Sequence, residues 1–409
     1  MITRDLRRAI VRAVAAAGFR PARDPGLRPT GTPGQYAASV ALTLGGNPRE
    51  TAAALARALA REPWIAAAEV TGPGYLTVTV TPAALAAVAA DVTRAGPACV
   101  TSDALAGETV PAAPQGDPLA APTWEKASAA LAARLTARLA AAAGATMTEF
   151  PAAERNRLTP EASTISGPGV TTLRSDDQKS EPDTIPQPKE TRARAPRPLP
   201  PEPTPVARAV AFAGRDAVTF TLARAIPGKP LGVDQAIIAR HVPGNPAYAV
   251  RYAHARAASG VRWAVASRGG DPPYPPLSRR SGPMAKTAIV SGPPAGTVRT
   301  GDTGVPLREA TAPPRPPDDP AELAILDALS WLPERVATAA RRGRPDEFAR
   351  YLEDLASVTI DVLSSASHPG RGTAPGSDRL ILAGAARVGL AAGLGLLEVS
   401  APERLLANK

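Results

Sequence analysis

Proline divides this sequence into parts that can form a core and parts that cannot. Of its 47 prolines, 12 lie between residues 151 and 206 and 13 lie between 269 and 320. Proline lacks a backbone N–H, and few large apolar side chains accompany it in these stretches, so both are predicted to be disordered. The folded part of the 409-residue chain is therefore expected to be smaller than its length suggests.

Residues 1–95 show the pattern of a small α/β (α+β) domain. An amphipathic helix is predicted from Ile2 to Ala17, and a second helix has Pro48 at its first turn. The segment AEVTGPGYLTVTV contains two β-rich runs around a Gly-Pro-Gly turn, and another helix follows it. A domain of this size can bury a modest core.

The rest of the chain is predicted to hold one isolated helix and a helical bundle. Residues 96–205 are interpreted as a proline-rich linker with one amphipathic helix over 123–143. Helical patterns follow at 206–268 and, beyond a disordered insertion at 269–320, at 321–409. The expected fold class is multidomain: the α/β domain, an all-α bundle and long disordered linkers between them.

Charge and composition limit the possible functions but do not identify one. The net charge of +10 favours polyanionic partners, although the solvated surface of an arginine-rich protein gives the same excess. Cys99 is the only cysteine and there are three histidines, so no disulfide framework, metal site or cofactor is expected. The first helix has no continuous hydrophobic segment, and the apolar run 380–397 is interrupted by Arg387 and four glycines. A cytoplasmic protein without a signal peptide or membrane span is predicted.

The stretch NPAYAVRYAHARAASGVRW, residues 245–263, concentrates aromatic and basic side chains at helical spacing. One face of the predicted helix combines tyrosines with arginines, and the opposite side carries His254 among apolar residues. Unpaired bases stack on tyrosine while guanidinium groups neutralise phosphates, so this face suits single-stranded RNA. The alternative is that the tyrosines cover a core edge and the arginines are solvated. His254 is interpreted as a hydrogen-bonded core residue. The candidate RNA contacts on this helix are Tyr248, Arg251, Tyr252, Arg256 and Arg262.

Five segments resemble the arginyl-tRNA synthetase family, in the family's order. NPAYAVRYAHAR is similar to the N-P-x-Y-Y-x-Q-Y-A-H-A-R signature of the family's anticodon-binding bundle. AGRDAVTFTLARAIPGKPLGVD and GLLEVSAPERL resemble the start of that bundle and the family's last residues. GQYAASVAL and EVTGPGYLTVTV resemble two stretches of the family's N-terminal domain.

The resemblance implies that the partner is a tRNA, with an arginine-type tRNA as one candidate. Tyr75 stands where the family's N-terminal domain places an aromatic residue against a base of the dihydrouridine loop, and Thr77 replaces the amide beside it. In the bundle, the matching motifs add Asn245, Arg404 and Leu405 as implied RNA contacts, Leu405 replacing a methionine that meets the anticodon loop. Base discrimination is therefore expected to be weaker than phosphate binding.

The catalytic signatures of that family are not found in this sequence. The family's H-I-G-H signature uses two histidines at a helix N-terminus, whereas the histidines here are His241, His254 and His368. The lysine-rich signature loop and a P-loop are also absent from the sequence. We therefore predict that the chain has no catalytic residue and cannot activate arginine with ATP.

Three functions remain open at this point. The first is a non-enzymatic tRNA-binding protein, and the second is a divergent arginine–tRNA ligase. The third is an interaction protein whose former RNA surfaces bind a partner such as a genuine aminoacyl-tRNA synthetase. Departures from the family pattern at Thr77, Thr219 and Ala249 keep the third function open.

Overall fold

The computed structural model describes residues 1–20, 24–113, 115–148, 202–229, 231–268, 319–365 and 377–405. The two stretches predicted to be disordered lie almost wholly outside these ranges.

The predicted α/β region is present at the N-terminus. Its four strands form one antiparallel sheet. In space their order is 27–29, 35–38, 75–80 and 65–71. Asn47 and Thr81 begin two of the helices, each accepting a backbone hydrogen bond with its side chain, and proline follows each cap. The elements are α1 (Ile2–Ala16), β1 (Leu27–Pro29), β2 (Gln35–Ala38), α2 (Pro48–Leu59), β3 (Ile65–Thr71), β4 (Tyr75–Val80) and α3 (Pro82–Ala95).

Residues 96–148 are folded, which corrects their assignment to a linker. Strands β5 (Thr109–Pro111) and β6 (Thr146–Thr148) pair in parallel, and helix α4 (Trp124–Ala142) connects them. The predicted helix 123–143 is therefore real, with Thr123 as its N-cap. Its apolar stripe of Leu131, Leu135 and Leu139 is fully buried, because it packs against helices far along the chain that composition could not identify.

The C-terminal part is a helical bundle, as predicted. The first part of the helical pattern over 321–409 is interrupted and forms two helices that meet at Trp331. Pro333 explains the break, since its ring cannot donate a helical hydrogen bond and would clash with the carbonyl four residues earlier. The helices are α5 (Pro205–Ala213), α6 (Arg215–Ala223), α7 (Gln235–Ile238), α8 (Pro246–Arg268), α9 (Pro320–Ser330), α10 (Leu332–Arg342), α11 (Pro345–Ser365) and α12 (Ser377–Leu396).

The N-terminal region packs directly on the bundle, a contact that the sequence analysis did not anticipate. Helix α3 contacts α9 and α12, and α1 contacts α10. At the junction, Arg7 donates to Glu334 from Nη2 to Oε2 at 2.7 Å and from Nε to Oε2 at 3.1 Å, and both side chains are buried. The Tyr36 and Ser330 hydroxyls are 2.9 Å apart nearby. The buried apolar residues of both regions accordingly form one continuous core.

Two described stretches are long and apolar enough to cross a membrane by length and composition alone, 82–100 and 379–396. They contain all of α3 and most of α12, and these two helices pack against each other at this junction. Core helices of globular proteins meet the same criterion, so the observation is weak evidence for a membrane span.

Candidate nucleic-acid interface

Three aromatic rings form a continuous stack at the start of helix α8. The rings of Tyr248 and Tyr252, one helical turn apart, have centroids 5.6 Å apart and planes 17° apart. His241, in the loop before the helix, stacks on Tyr248 at 5.4 Å and 15°. We refer to His241, Tyr248 and Tyr252 as the ring row. The spacing is that of offset-stacked aromatic rings, and His241 and Tyr252 are exposed.

Asn245 does not lie where it could contact RNA, which corrects its prediction as a binding residue. It is 3 % exposed, and its side-chain amide donates to the carbonyls of Ile238 and Arg240, both at 2.8 Å. Its Oδ1 accepts the N–H of Ala247 at 3.2 Å, as an N-cap does. Asn245 therefore fixes the loop that carries His241 and begins helix α8.

Two of the predicted RNA-binding arginines are engaged in ion pairs within the bundle. Nη2 of Arg251 lies 3.1 Å from Oδ2 of Asp216, at the start of α6. Arg262 donates to Glu403 at 2.8 Å, and Arg387 of α12 donates to the other oxygen of the same carboxylate at 2.8 Å. The pairs with Glu403 hold the segment after α12 against α8 and α12, and the pair with Asp216 joins α8 to α6. All of them reduce the positive charge available to a ligand.

The other predicted basic contacts are more accessible. Arg256 is exposed one turn beyond Tyr252, and no ion pair engages it within the described ranges. Arg404 is exposed and Leu405 is half-buried in the segment after α12. Arg240, which the sequence analysis did not select, is exposed next to His241. Along the chain, exposed arginines thus flank the ring row, with Arg240 directly before His241 and Arg256 one helical turn after Tyr252.

His254 is a core residue, as predicted. It is 2 % exposed, and its Nδ1 lies 3.0 Å from the carbonyl oxygen of Pro402. Burial lowers the pKa of the imidazole, which keeps the ring neutral with Nδ1–H donating to that carbonyl. The residue therefore helps to hold the C-terminal segment on α8.

A second surface lies on the N-terminal sheet. Tyr75, at the start of β4, is 37 % exposed beside the turn between β3 and β4. Arg49, which the sequence analysis missed, donates from Nε to the carbonyl of Gly72 in that turn at 3.0 Å. Thr77 is half-buried and shares a 3.0 Å hydrogen bond with the Thr71 hydroxyl across the strands. Tyr75 and Arg49 are both exposed, so a ligand can reach them.

The β5-α4-β6 crossover has the topology in which α/β proteins bind ligands at the carboxyl end of a strand. Here the loop that follows β5 is occupied by contacts with the bundle. Pro118 and Leu119 are buried, and Arg215 of α6 donates to both carboxylate oxygens of Asp117 at 2.9 Å. Across the parts of the chain that the structure describes, no group of three or more His, Cys, Asp or Glu residues could hold a metal ion.

Comparison with known proteins matches the last part of the bundle to a domain family. Residues 303–405 match the DALR anticodon binding domain. Arginine–tRNA ligase from Frankia alni is 32 % identical over 198 residues, which are 47 % of this chain and 29 % of that protein. The Micrococcus luteus ligase is 41 % identical over 103 residues, 24 % of this chain and 18 % of that protein. The chain therefore spans less than a third of the length of these relatives.

A solved structure shows the same fold. Thermus thermophilus arginyl-tRNA synthetase aligns with a TM-score of 0.53 and 16 % identity over 99 % of this chain and 100 % of its own. At that identity the similarity concerns the fold alone. The C-terminal part of this chain contains a DALR anticodon-binding domain, and over its C-terminal half the chain is homologous to arginine–tRNA ligases.

Proposed function

We propose that this protein binds tRNA in the cytoplasm and does not aminoacylate it. The observation that carries the proposal is the ring row on α8, which has an exposed arginine next to each of its ends and lies in a bundle whose last part, residues 303–405, matches the DALR anticodon binding domain. Stacked rings flanked by cations match what a single-stranded RNA loop offers, because its unpaired bases expose flat faces and its phosphates are negative. Tyr75 and Arg49 would add a second contact, with Tyr75 against the dihydrouridine loop as the family resemblance implies.

The absence of aminoacylation is proposed on two grounds. The sequence contains no H-I-G-H pair of histidines, and the loop after β5 is bound to the bundle through Asp117 and Arg215. A nucleotide at that position would have to displace an ion pair and two buried apolar residues. We expect no arginine-dependent exchange between ATP and pyrophosphate by the purified chain. Exchange above a no-arginine control would establish the divergent ligase instead.

Salt-dependent binding tests the tRNA proposal. Arg240, Arg256 and Arg404 are the accessible arginines identified on the bundle surface, so we expect few phosphate contacts there. Because each phosphate contact contributes roughly 0.7 to 0.9 to the logarithmic salt slope, three contacts give an expected slope with a magnitude of about 2 to 3. Filter binding at 50 to 200 mM salt should favour tRNA over duplex DNA of equal length. Equal affinity for both would contradict the proposal.

A protein partner is the second candidate function. Phe212 and Ile237 are 64 % and 50 % exposed on the neighbouring helices α5 and α7, and Val242 is 44 % exposed beside the ring row. Exposed apolar side chains of this size occur at protein interfaces. Co-purification of a protein that survives nuclease treatment, without RNA binding by the isolated chain, would favour this function over the first.

A further inference from the structure

The ring row ends in a residue that the family motif does not contain. His241 lies four residues before Asn245, outside the matched helix signature, yet its ring continues the stack of Tyr248 and Tyr252. No second aromatic ring stacks on the other face of His241 among the residues that the structure describes. The imidazole is exposed, so that outer face can receive another flat group.

The loop that presents His241 is fixed in place. The Asn245 amide donates to the carbonyls of Ile238 and Arg240 at 2.8 Å, and these two carbonyls lie on the chain just before His241. Pro243 and Pro246 further restrict the backbone of the same loop. Little ordering of the loop is then needed when a ligand binds, which lowers the entropic cost of binding.

The charge around the ring row identifies the flat group. Arg240 is exposed next to His241, and Arg256 is exposed one turn beyond Tyr252. A single-stranded nucleic acid has flat bases and regularly spaced phosphates, so it can place a base on the ring and phosphates near both arginines. A duplex cannot do this, because the faces of its bases are already stacked.

We propose that His241 binds an unpaired nucleobase on its outer ring face and that Asn245 is the positioning residue that holds His241 there. The occupant is a single-stranded RNA loop, and the ring row is extended by one base. This inference rests on the proposed tRNA binding and specifies which residue makes the outermost base contact.

The experiment uses the full chain and an RNA hairpin with 2-aminopurine in its loop. A fully paired duplex of the same stem sequence is the comparison ligand. Stacking quenches 2-aminopurine fluorescence, so this readout reports ring contact and not merely correct folding. His241→Ala should weaken hairpin binding roughly 5-fold to 100-fold and abolish most of the quenching. His241→Phe should restore both, because it keeps the flat ring.

Two further variants separate ring contact from general damage. Val242→Ala alters an exposed neighbour outside the ring row and should leave hairpin affinity within about twofold of the native chain. Asn245→Asp keeps the oxygen that caps α8 through Ala247 and removes the two N–H donors to the loop. It should reduce the quenching while circular dichroism of the helices is retained.

The outcomes distinguish this inference from the function on which it rests. If the native chain binds neither the hairpin nor tRNA, both fail. If Tyr252→Ala weakens hairpin binding and His241→Ala does not, the inference fails alone and the tRNA proposal stands. Equal loss of hairpin and duplex affinity in His241→Ala would also overturn the inference, because stacking on an unpaired base cannot affect duplex binding.

Discussion

Single arginines on helix α8 differ in what they can still bind. Arg256 has no ion-pair partner among the described residues, whereas Arg262 donates to Glu403 at 2.8 Å. Arg256→Ala should therefore weaken tRNA binding and reduce the salt slope by about one. Arg262→Ala on the same helix is the matched control and should change the slope by much less. Salt titrations of tRNA binding by both variants measure these slopes. Equal slopes in the two variants would show that the ion pair with Glu403 does not prevent Arg262 from binding phosphate.

The buried imidazole of His254 should make the free energy of unfolding depend on pH. Burial lowers its pKa below the ordinary value of 6.5, so the folded protein binds fewer protons here than the unfolded chain. The stability contributed by neutral His254 is present above pH 6.5 and is lost as pH falls from 6.5 through the lowered pKa. The slope from this one group is at most about 1.4 kcal/mol per pH unit. Urea unfolding between pH 5 and 7.5 should show a smaller pH dependence in His254→Gln than in the native chain.

Residue-level prediction from the sequence succeeded where the signal was local. The aromatic-basic face of residues 245–263 and the buried histidine could be derived from helical periodicity. The partners of Arg251 and Arg262 could not, because Asp216 and Glu403 are distant in sequence and only the folded bundle brings them together. Asn245 was misassigned although a local signal existed, since an asparagine directly before a proline at a helix start is typical of an N-cap.

Helix α4 shows the same limit at the scale of an element. Its bounds were predicted to within one residue, yet it was assigned to a linker because proline-rich sequence surrounds it. What makes it part of the core is contact with α6 and α10, whose positions no local pattern reveals. The parallel pairing of β5 with β6 was missed for the same reason, as each strand is only three residues long.

Leu135 tests whether α4 belongs to the core. It is fully buried, so Leu135→Ala should lower the free energy of unfolding by about 2 to 5 kcal/mol through lost apolar contacts and a cavity. Lys126→Ala changes an exposed position of the same helix and should shift it by less than about 0.5 kcal/mol. Denaturant titration followed by circular dichroism provides both values. If both substitutions change the free energy of unfolding by equally small amounts, residues 96–148 are a linker and not part of the core.

At the scale of the whole molecule, the N-terminal region and the bundle meet through buried polar groups as well as apolar ones. Arg7 and Glu334 are each about 5 % exposed, and Asp24 Oδ1 lies 3.5 Å from the Arg7 guanidinium. Removing one member of a buried pair leaves the other charge without full compensation. The two surfaces that the tRNA proposal assigns, around Tyr75 and on α8, therefore belong to one body with a defined geometry.

Cleaving the chain between the two parts tests that geometry. A protease site introduced between residues 149 and 201 and cut after folding would yield two fragments, one containing residues 1–148 and the other containing residues 202–409. We expect them to co-elute in gel filtration, because the junction contains the Arg7–Glu334 pair and the shared apolar core. Glu334→Ala should weaken the junction by about 3 kcal/mol, at the low end of the range for a broken buried pair because Asp24 remains near Arg7.

Arg12→Ala is the matched control for the cleaved protein. It removes an ion pair with Glu62 from the same helix α1, but that pair is exposed and lies within the N-terminal region, so it should contribute at most about 1 kcal/mol. The fragments should therefore stay together in Arg12→Ala and separate at lower urea concentration in Glu334→Ala. Separation of the native fragments without urea would mean that the junction is not a stable contact. The surfaces around Tyr75 and α8 would then engage RNA independently of one another, and their affinities would combine only through the connecting chain.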